Sequence, residues 1–282
     1  MIRELSREES VADLCALLGV ARSGYYTWLK GRPSARSESN RLLLEQIRQA
    51  FKEHHGAYGS PRITEALCAQ GEVCNHKRVE RLMRQDGLQG RSARARKVPT
   101  TDSDHNEPIA PNLLLGRAAP TKTDEVWVAD ITYIPTSQGW LFLAAVMDLY
   151  SRQILGWSLW ENLEAGGPLQ ALARALYKRG HPRNVIHHSD RGVQYASLMY
   201  RQQLQRCGLL ASMSRRGNCY DNAAMEAFWS TLKREALDQS QAWSKDRVRR
   251  ETFEFIEAIY NRRRLHSSLG YQSPVDFETN NN

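Results

Sequence analysis

Apolar residues recur along this chain in two different periods, and the change from one to the other divides it. In residues 9–30, ESVADLCALLGVARSGYYTWLK, Val11, Leu14, Cys15 and Leu18 fall at i, i+3, i+4 and i+7, one apolar helix face. Gly19 breaks that helix, and Ser23 is placed to cap a second one that buries Tyr26 and Leu29. Helix, glycine turn and helix form a helix-turn-helix pattern. A second helical unit follows. Leu43, Leu44, Ile47, Ala50 and Phe51 stripe a helix from about residue 38 to 54. Another starts near Pro61 and ends at Gly71, and Asn75 can cap a third whose Val79, Leu82 and Met83 face inward.

From residue 125 the period becomes that of strands. EVWVADITYI, GWLFLAAVMDLYS and RQILGWSLW predict an antiparallel meander, with Trp140 and Trp157 in its core. GPLQALARALYKRG then reads as helix, RNVIHHSD as a fourth strand, ASLMYRQQLQRCG as helix, LLASMSR as a fifth strand and DNAAMEAFWSTLKREAL as helix. A helix near 245–262 carries Val248, Thr252, Phe255, Ile256 and Ile259 on one side. Three strands followed by alternating helix and strand predict an α/β domain with a mixed five-stranded sheet and flanking helices, preceded by all-α helix-turn-helix modules. The basic run RSARARK and prolines 99, 108, 111 and 120 mark a linker between them. The expected divisions are 1–35, 36–90, a linker at 91–122, a core at 123–240, and a C-terminal helix with a basic tail at 241–282.

Charge sharpens this division. The net charge of the 282 residues is +8. Residues 1–100 carry 18 Lys and Arg against 11 Asp and Glu, residues 101–150 carry 2 against 7, and residues 201–250 carry 10 against 5. A basic end, an acidic patch and a second basic stretch suit a polyanion partner and a separate acidic site. Lys77, Arg78, Arg81 and Arg84 line the outer side of their helix, the shape of a recognition helix. One such helix is as easily a solvated face; two in tandem favour DNA. No apolar run is long enough to span a membrane, and the charged start is no signal peptide. Cysteines 15, 68, 74, 207 and 219 form no CxxC pair and read as reduced thiols in a cytoplasmic protein. With His54, His55 and His76 they match no usual structural zinc spacing.

Three carboxylates interrupt the apolar pattern. Asp130 lies inside the first strand, where an unpartnered carboxylate is costly. Asp190 ends the fourth strand in VIHHSDRGVQY, beside Gly192, whose conformational freedom would permit a tight exit. Glu226 lies at the edge of a helix stripe formed by Met225, Phe228, Trp229 and Leu232. Three carboxylates without a cationic partner in sequence suit hard divalent cations. Two ions about 3.5–4 Å apart would clamp the oxygens of a phosphoryl transfer, with Asp130 best placed to bridge them. Asp148 reads as a turn or supporting residue, and Asp221 as a helix N-cap. His187 and His188 flank the site without an assigned role.

Asp130 and Asp190 are separated by 59 residues, and Asp190 and Glu226 by 35. With WVADITYI, VMDLYSRQILGWS, HHSDRGVQYAS, GNCYDNAAMEAFWSTLKRE and YNRRRLHSSLGYQSP, this spacing resembles the Asp-Asp-Glu core of retroviral integrases and bacterial insertion-sequence transposases. LLGVARSGYYTW and HGAYGSPRI resemble the helix-turn-helix segments of the second-frame (OrfB-type) proteins in one such family. The resemblance implies an RNase H-like fold and a transposase. Asp130, Asp190 and Glu226 would be both catalytic residues and ligands of Mg²⁺ or Mn²⁺, as two ions. Water would cut at the element's terminal inverted repeats, and the freed 3′ hydroxyl would join target DNA. The enzyme would be a homo-multimer on DNA, nucleoid-associated when bound, and often fused to an upstream-frame (OrfA-type) protein. Lys233, seven residues after Glu226, matches a basic position of the family and would lie two helix turns, about 11 Å, along. Arg262, Arg263 and Arg264 would contact phosphate or form a solvated run. Two rivals remain: an RNase H-like nuclease that needs no end reader, and a DNA-binding regulator with a decayed core.

Overall fold

A computed structural model describes residues 1–31, 33–91, 107–162, 166–215, 222–237 and 243–281. It divides into two units, Met1–Gly90 and Arg91–Asn282.

The first unit is helical: α1 (Ile2–Leu5), α2 (Val11–Leu17), α3 (Arg22–Leu29), α4 (Ala35–Glu53), α5 (Ser60–Ala69) and α6 (His76–Gln85). Ser10 caps α2 by accepting from the Ala12 N–H. The cap expected at Ser23 does not form, because α3 begins one residue earlier, at Arg22. That phase turns Tyr25 inward and leaves Tyr26 and Leu29 exposed, against expectation. Leu43, Ile47 and Ala50 of α4 meet Ile63 and Leu67 of α5 and Val79, Leu82 and Met83 of α6 as the buried apolar positions. Asn75 caps α6 through a 2.8 Å bond from the Lys77 N–H.

The second unit is built on one sheet. Its strands are β1 (Val126–Thr136), β2 (Gly139–Asp148), β3 (Ile154–Trp160), β4 (Ile186–Ser189) and β5 (Leu210–Met213), in the order β3-β2-β1-β4-β5. The first three form the antiparallel meander, while β4 and β5 add in parallel beyond β1. Strand alternation divides β1 between two layers. Val126, Val128 and Ile134 face α10 (Ala223–Glu235) and α11 (Lys245–Phe253). Trp127, Ala129 and Ile131 face α7 (Gly166–Lys178), α8 (Val193–Ala196) and α9 (Leu198–Arg206). At Gly156 of β3 the helix and strand backbones meet: an added Cβ would lie 2.2 Å from the Ala171 carbonyl and 2.5 Å from the Ala175 nitrogen.

Three further expectations are corrected. Trp140 is 52% exposed, because it sits at the β1–β2 hairpin end, paired with exposed Pro135 beyond both helical layers. Residues 107–122 are no free linker: Ser212 accepts from the Leu113 N–H at 2.9 Å, and Ala110 and Leu114 pack on opposite faces of the sheet. The helix expected over 245–262 becomes π-helical at Glu254–Tyr260, which brings Tyr260 into the core beside Phe255 and Ile256. The basic tail is folded structure ending in α12 (Pro274–Asn281). Asn261 anchors it, accepting from the Ile154 N–H at 2.9 Å and donating to the Ile154 carbonyl at 3.0 Å. Buried Glu278 of α12 pairs with Arg179. No helix among the described residues is long and apolar enough to cross a membrane.

Candidate active site

Parallel pairing of β1 with β4 determines where the carboxylates lie. Ala129 pairs with Ser189, so Asp130 and Asp190 are the next residues on adjacent strands, at the same end of β4. Asp130 belongs to the row of Val126, Val128 and Ile134, the face covered by α10. Its carboxyl is half-buried there and is pushed up to about 8, first by burial and then by the charge of Asp190, with Glu226 adding to it. The Trp229 indole opposes the rise by donating to Asp130 Oδ2 at 2.9 Å.

Asp190 accepts from the Gly192 N–H at 2.9 Å, a local turn that holds its carboxylate at the strand end. Gly192 has φ −60° and ψ 140°, so no unusual backbone conformation is required of it. Its role is spatial: a Cβ would lie 3.0 Å from Asp190 Oδ1 and 3.3 Å from Gln194 Oε1. Tyr195 lies close enough to feel both Asp130 and Asp190, though burial is the main reason its phenol is raised well above the usual range.

Glu226 is exposed in the first turn of α10. Asn222, at that helix's N-cap, turns its amide to the Ala129 carbonyl at 3.3 Å and thereby ties the helix start to the Asp130 strand. Asp221, expected as the cap, lies outside the described residues. Lys233 is two turns beyond Glu226 on the same helix face. Burial lowers its ammonium from the usual lysine range, while the charge of Asp130 raises it. Trp229 lies between them at Glu226+3, and its part in the site was not foreseen, since the helix period marks it only as core. The available signal was chemical: a buried indole N–H seeks an acceptor.

The oxygen-only donors and the like charge gathered at Asp130 suit a hard divalent cation. The side chains are not drawn into a closed cage: among the described residues no group of three His, Cys, Asp or Glu could hold an ion.

Other candidates separate by their contacts. Asp148 is fully buried and accepts from the backbone N–H groups of Asp124, Tyr150 and Ser151, which fixes the turn after β2. His187 is buried against the Tyr200 hydroxyl at 3.1 Å, and burial pushes it down to about 4. His188 Nδ1 meets Ser212 Oγ at 2.8 Å inside the sheet. Arg264 leaves the set of DNA contacts: it is 4% exposed and bidentate to Glu235, at 2.9 Å from each oxygen. Arg262 and Arg263 are exposed. On α6, Arg78 binds Asn40 and Ser39 of α4 at 2.8 and 2.7 Å, and Arg84 pairs with Glu80 at 2.8 Å. Lys77 and Arg81 are exposed, with no ion-pair partner among the described residues.

The chain is similar to known proteins along nearly all its length. A family model described as an HTH-like domain matches residues 38–96, and two described as integrase core domains match residues 120–219 and 208–274. The "Insertion element IS600 uncharacterized 31 kDa protein" of Shigella sonnei is 42% identical over 94% of this chain and 97% of that protein. "Transposase InsF for insertion sequence IS3A" of Escherichia coli (strain K12) is 40% identical over 99% of this chain and 98% of that protein. Among solved structures, a simian T-cell lymphotropic virus intasome in complex with PP2A regulatory subunit B56 gamma matches at 12% identity and a TM-score of 0.48, over 83% of this chain and 74% of that one. The HTLV-2 integrase catalytic core domain in complex with magnesium matches at 12% identity and a TM-score of 0.42, over 56% of this chain and 97% of that one.

Proposed function

The chain belongs to the insertion-sequence transposases of the IS3 kind, and from that premise we propose that it cuts and joins DNA at an Asp130–Asp190–Glu226 site that uses divalent metal. It is a polynucleotidyl transferase with an RNase H-like integrase core. The observation that supports the site assignment is the β1–β4 register, which sets Asp130 and Asp190 side by side at the strand ends, on the sheet whose β1 row packs against the helix carrying Glu226. A half-buried carboxylate beside a second one is a poor structural feature and suits a hard cation.

Bound Mg²⁺ or Mn²⁺, as two ions, would polarise the scissile phosphodiester and favour the attacking and leaving oxygens. Asp130 and Asp190 would hold them from the strand ends, and Glu226 from α10. Lys233 would steady a phosphate next to the scissile one. Water attacks first, breaking the bond at the element end and freeing a 3′ hydroxyl. That hydroxyl then attacks a second phosphodiester, so one ester is exchanged for another and no high-energy cofactor is needed. The helical unit would read the terminal inverted repeats, with Lys77 and Arg81 on phosphates. The working form would be a multimer at the nucleoid, with an upstream-frame protein as a further partner.

The test is cleavage and strand transfer on labelled element ends. Asp130→Asn, Asp190→Asn and Glu226→Gln each remove a ligand charge with little change of volume, and each is expected to abolish both steps with end binding near wild type. Asp148→Asn is expected to retain activity while losing stability. A triad variant that still joins DNA overturns the assignment. Hydrolysis without joining of precut ends favours the plain nuclease.

A further inference from the structure

We infer that Trp229 is a positioning residue that sets the divalent-cation affinity of this site through Asp130, an inference that rests on the metal reading above. Its indole N–H donates to Asp130 Oδ2 at 2.9 Å, and the residue is 6% exposed. The meeting follows from both secondary structures. Asp130 shares the β1 row that faces α10, and Trp229 lies on α10 with Met225, Phe228 and Leu232, the apolar residues packed on that row.

Burial of the indole does not by itself require this bond. Among the described residues the buried Nε1 atoms of Trp160 and Trp243 meet no hydrogen-bond acceptor, so burial does not automatically bring an indole to one. At Asp130 the indole instead meets a carboxylate that lies next to Asp190 on the adjacent strand. A charge-assisted bond to one oxygen fixes the carboxylate plane. That prepares the group as a ligand, since a fixed carboxylate loses less rotational freedom on binding. Trp229 also lies three residues after Glu226 and four before Lys233. One helix face thus carries a candidate ligand, the residue that orients the strand's ligand, and a candidate phosphate contact.

Loss of a hydrogen bond to a metal ligand typically weakens metal affinity about 10- to 100-fold. Trp229→Phe keeps the ring in the core and removes the donor. Mn²⁺ binding to the full chain would be followed by calorimetry and by the electron paramagnetic resonance of free Mn²⁺, beside thermal unfolding without metal. The expected result is Mn²⁺ affinity at least about 10-fold weaker in Trp229→Phe. Phe228→Leu, a core change one residue away whose ring lies tilted against Trp229 with centroids 4.7 Å apart, should lose stability but keep wild-type affinity. Wild-type affinity in Trp229→Phe overturns the inference, and so does an equal loss in Phe228→Leu. Asp130→Asn separates the two levels. If it weakens Mn²⁺ binding and Trp229→Phe does not, the indole's role falls alone. If Asp130→Asn binds as wild type does, or if the wild-type chain binds no Mn²⁺, the metal reading falls with it. Should Trp229→Phe not fold, Trp229→Tyr, whose hydroxyl cannot occupy the indole nitrogen's position, is measured with the same outcomes decisive.

Discussion

Asp130 gives the site a pH dependence with a definite sign. Its carboxyl is raised to about 8 in the fold, whereas an unfolded aspartate titrates near 3.9. The metal-free folded state therefore holds a proton that the unfolded chain has released. Stability from this group is fully present below the unfolded value and is lost as pH rises through about 8. His187 has the opposite sign: pushed down to about 4, it loses its contribution as pH falls from the usual histidine value through about 4. The two windows overlap, so the comparison must cancel one of them. Chemical denaturation in chelator from about pH 5 to about pH 9 should show the wild-type chain losing stability relative to Asp130→Asn, in which His187 is unchanged. Added Mn²⁺ should reverse that loss in the wild type alone. Parallel curves for the two proteins would mean that burial and like charge do not converge on Asp130. Of the three proposed carboxylates only Asp130 interrupts an apolar run where a carboxylate is costly; Asp190 and Glu226 stand out in the sequence by their places at a strand end and at the edge of a helix stripe. Trp229 and Arg264 were not: periodicity counts an indole only as core and an arginine run only as surface, and neither the bond to Asp130 nor the pair with Glu235 leaves a trace in spacing.

Among the elements, α6 shows how far a helix period reaches. The stripe of Val79, Leu82 and Met83 and the cap at Asn75 follow from local sequence and appear as expected. Which cations stay available does not, because Arg78 is held by residues of α4 nearly forty positions away. The prediction changes accordingly. If residues 1–90 bind DNA, Lys77→Ala and Arg81→Ala should each reduce the slope of log affinity against log salt by about 1. Arg78→Ala should instead lower the melting temperature of this unit with little change in that slope. Equal slope changes for all three variants would show that the α4 contacts of Arg78 give way on DNA. The π-helical turn at Glu254–Tyr260 is illegible for a related reason: Val248, Thr252, Phe255, Ile256 and Ile259 fit a regular helix, and only packing against the sheet selects Tyr260.

For the molecule as a whole, the change of period near residue 125 marks the first strand, not the first residue that the catalytic unit needs. Pro111 accepts from the Met213 N–H at 3.4 Å, Leu113 donates to Ser212, and Leu114 packs with the α10 layer. A proline-punctuated stretch looks like linker because such contacts are irregular and carry no period. A fragment of residues 107–282 is therefore expected to be more stable than one of 121–282 by at least about 2 kcal/mol, from lost hydrogen bonds and apolar burial. Urea unfolding of both fragments measures it, and equal midpoints and slopes would return 107–120 to the linker. The strand order also has a consequence in time. Asn261 bonds the outer edge of β3 at its first residue, Ile154, and Glu278 of α12 pairs with Arg179, yet both follow every strand and all three proposed carboxylates in the chain. A ribosome making this protein completes the residues proposed to cut DNA before it completes the one that bonds the start of their sheet's edge strand. For that interval the nascent sheet presents an uncovered strand to neighbouring chains, at the stage of synthesis when pairing with the wrong partner is easiest.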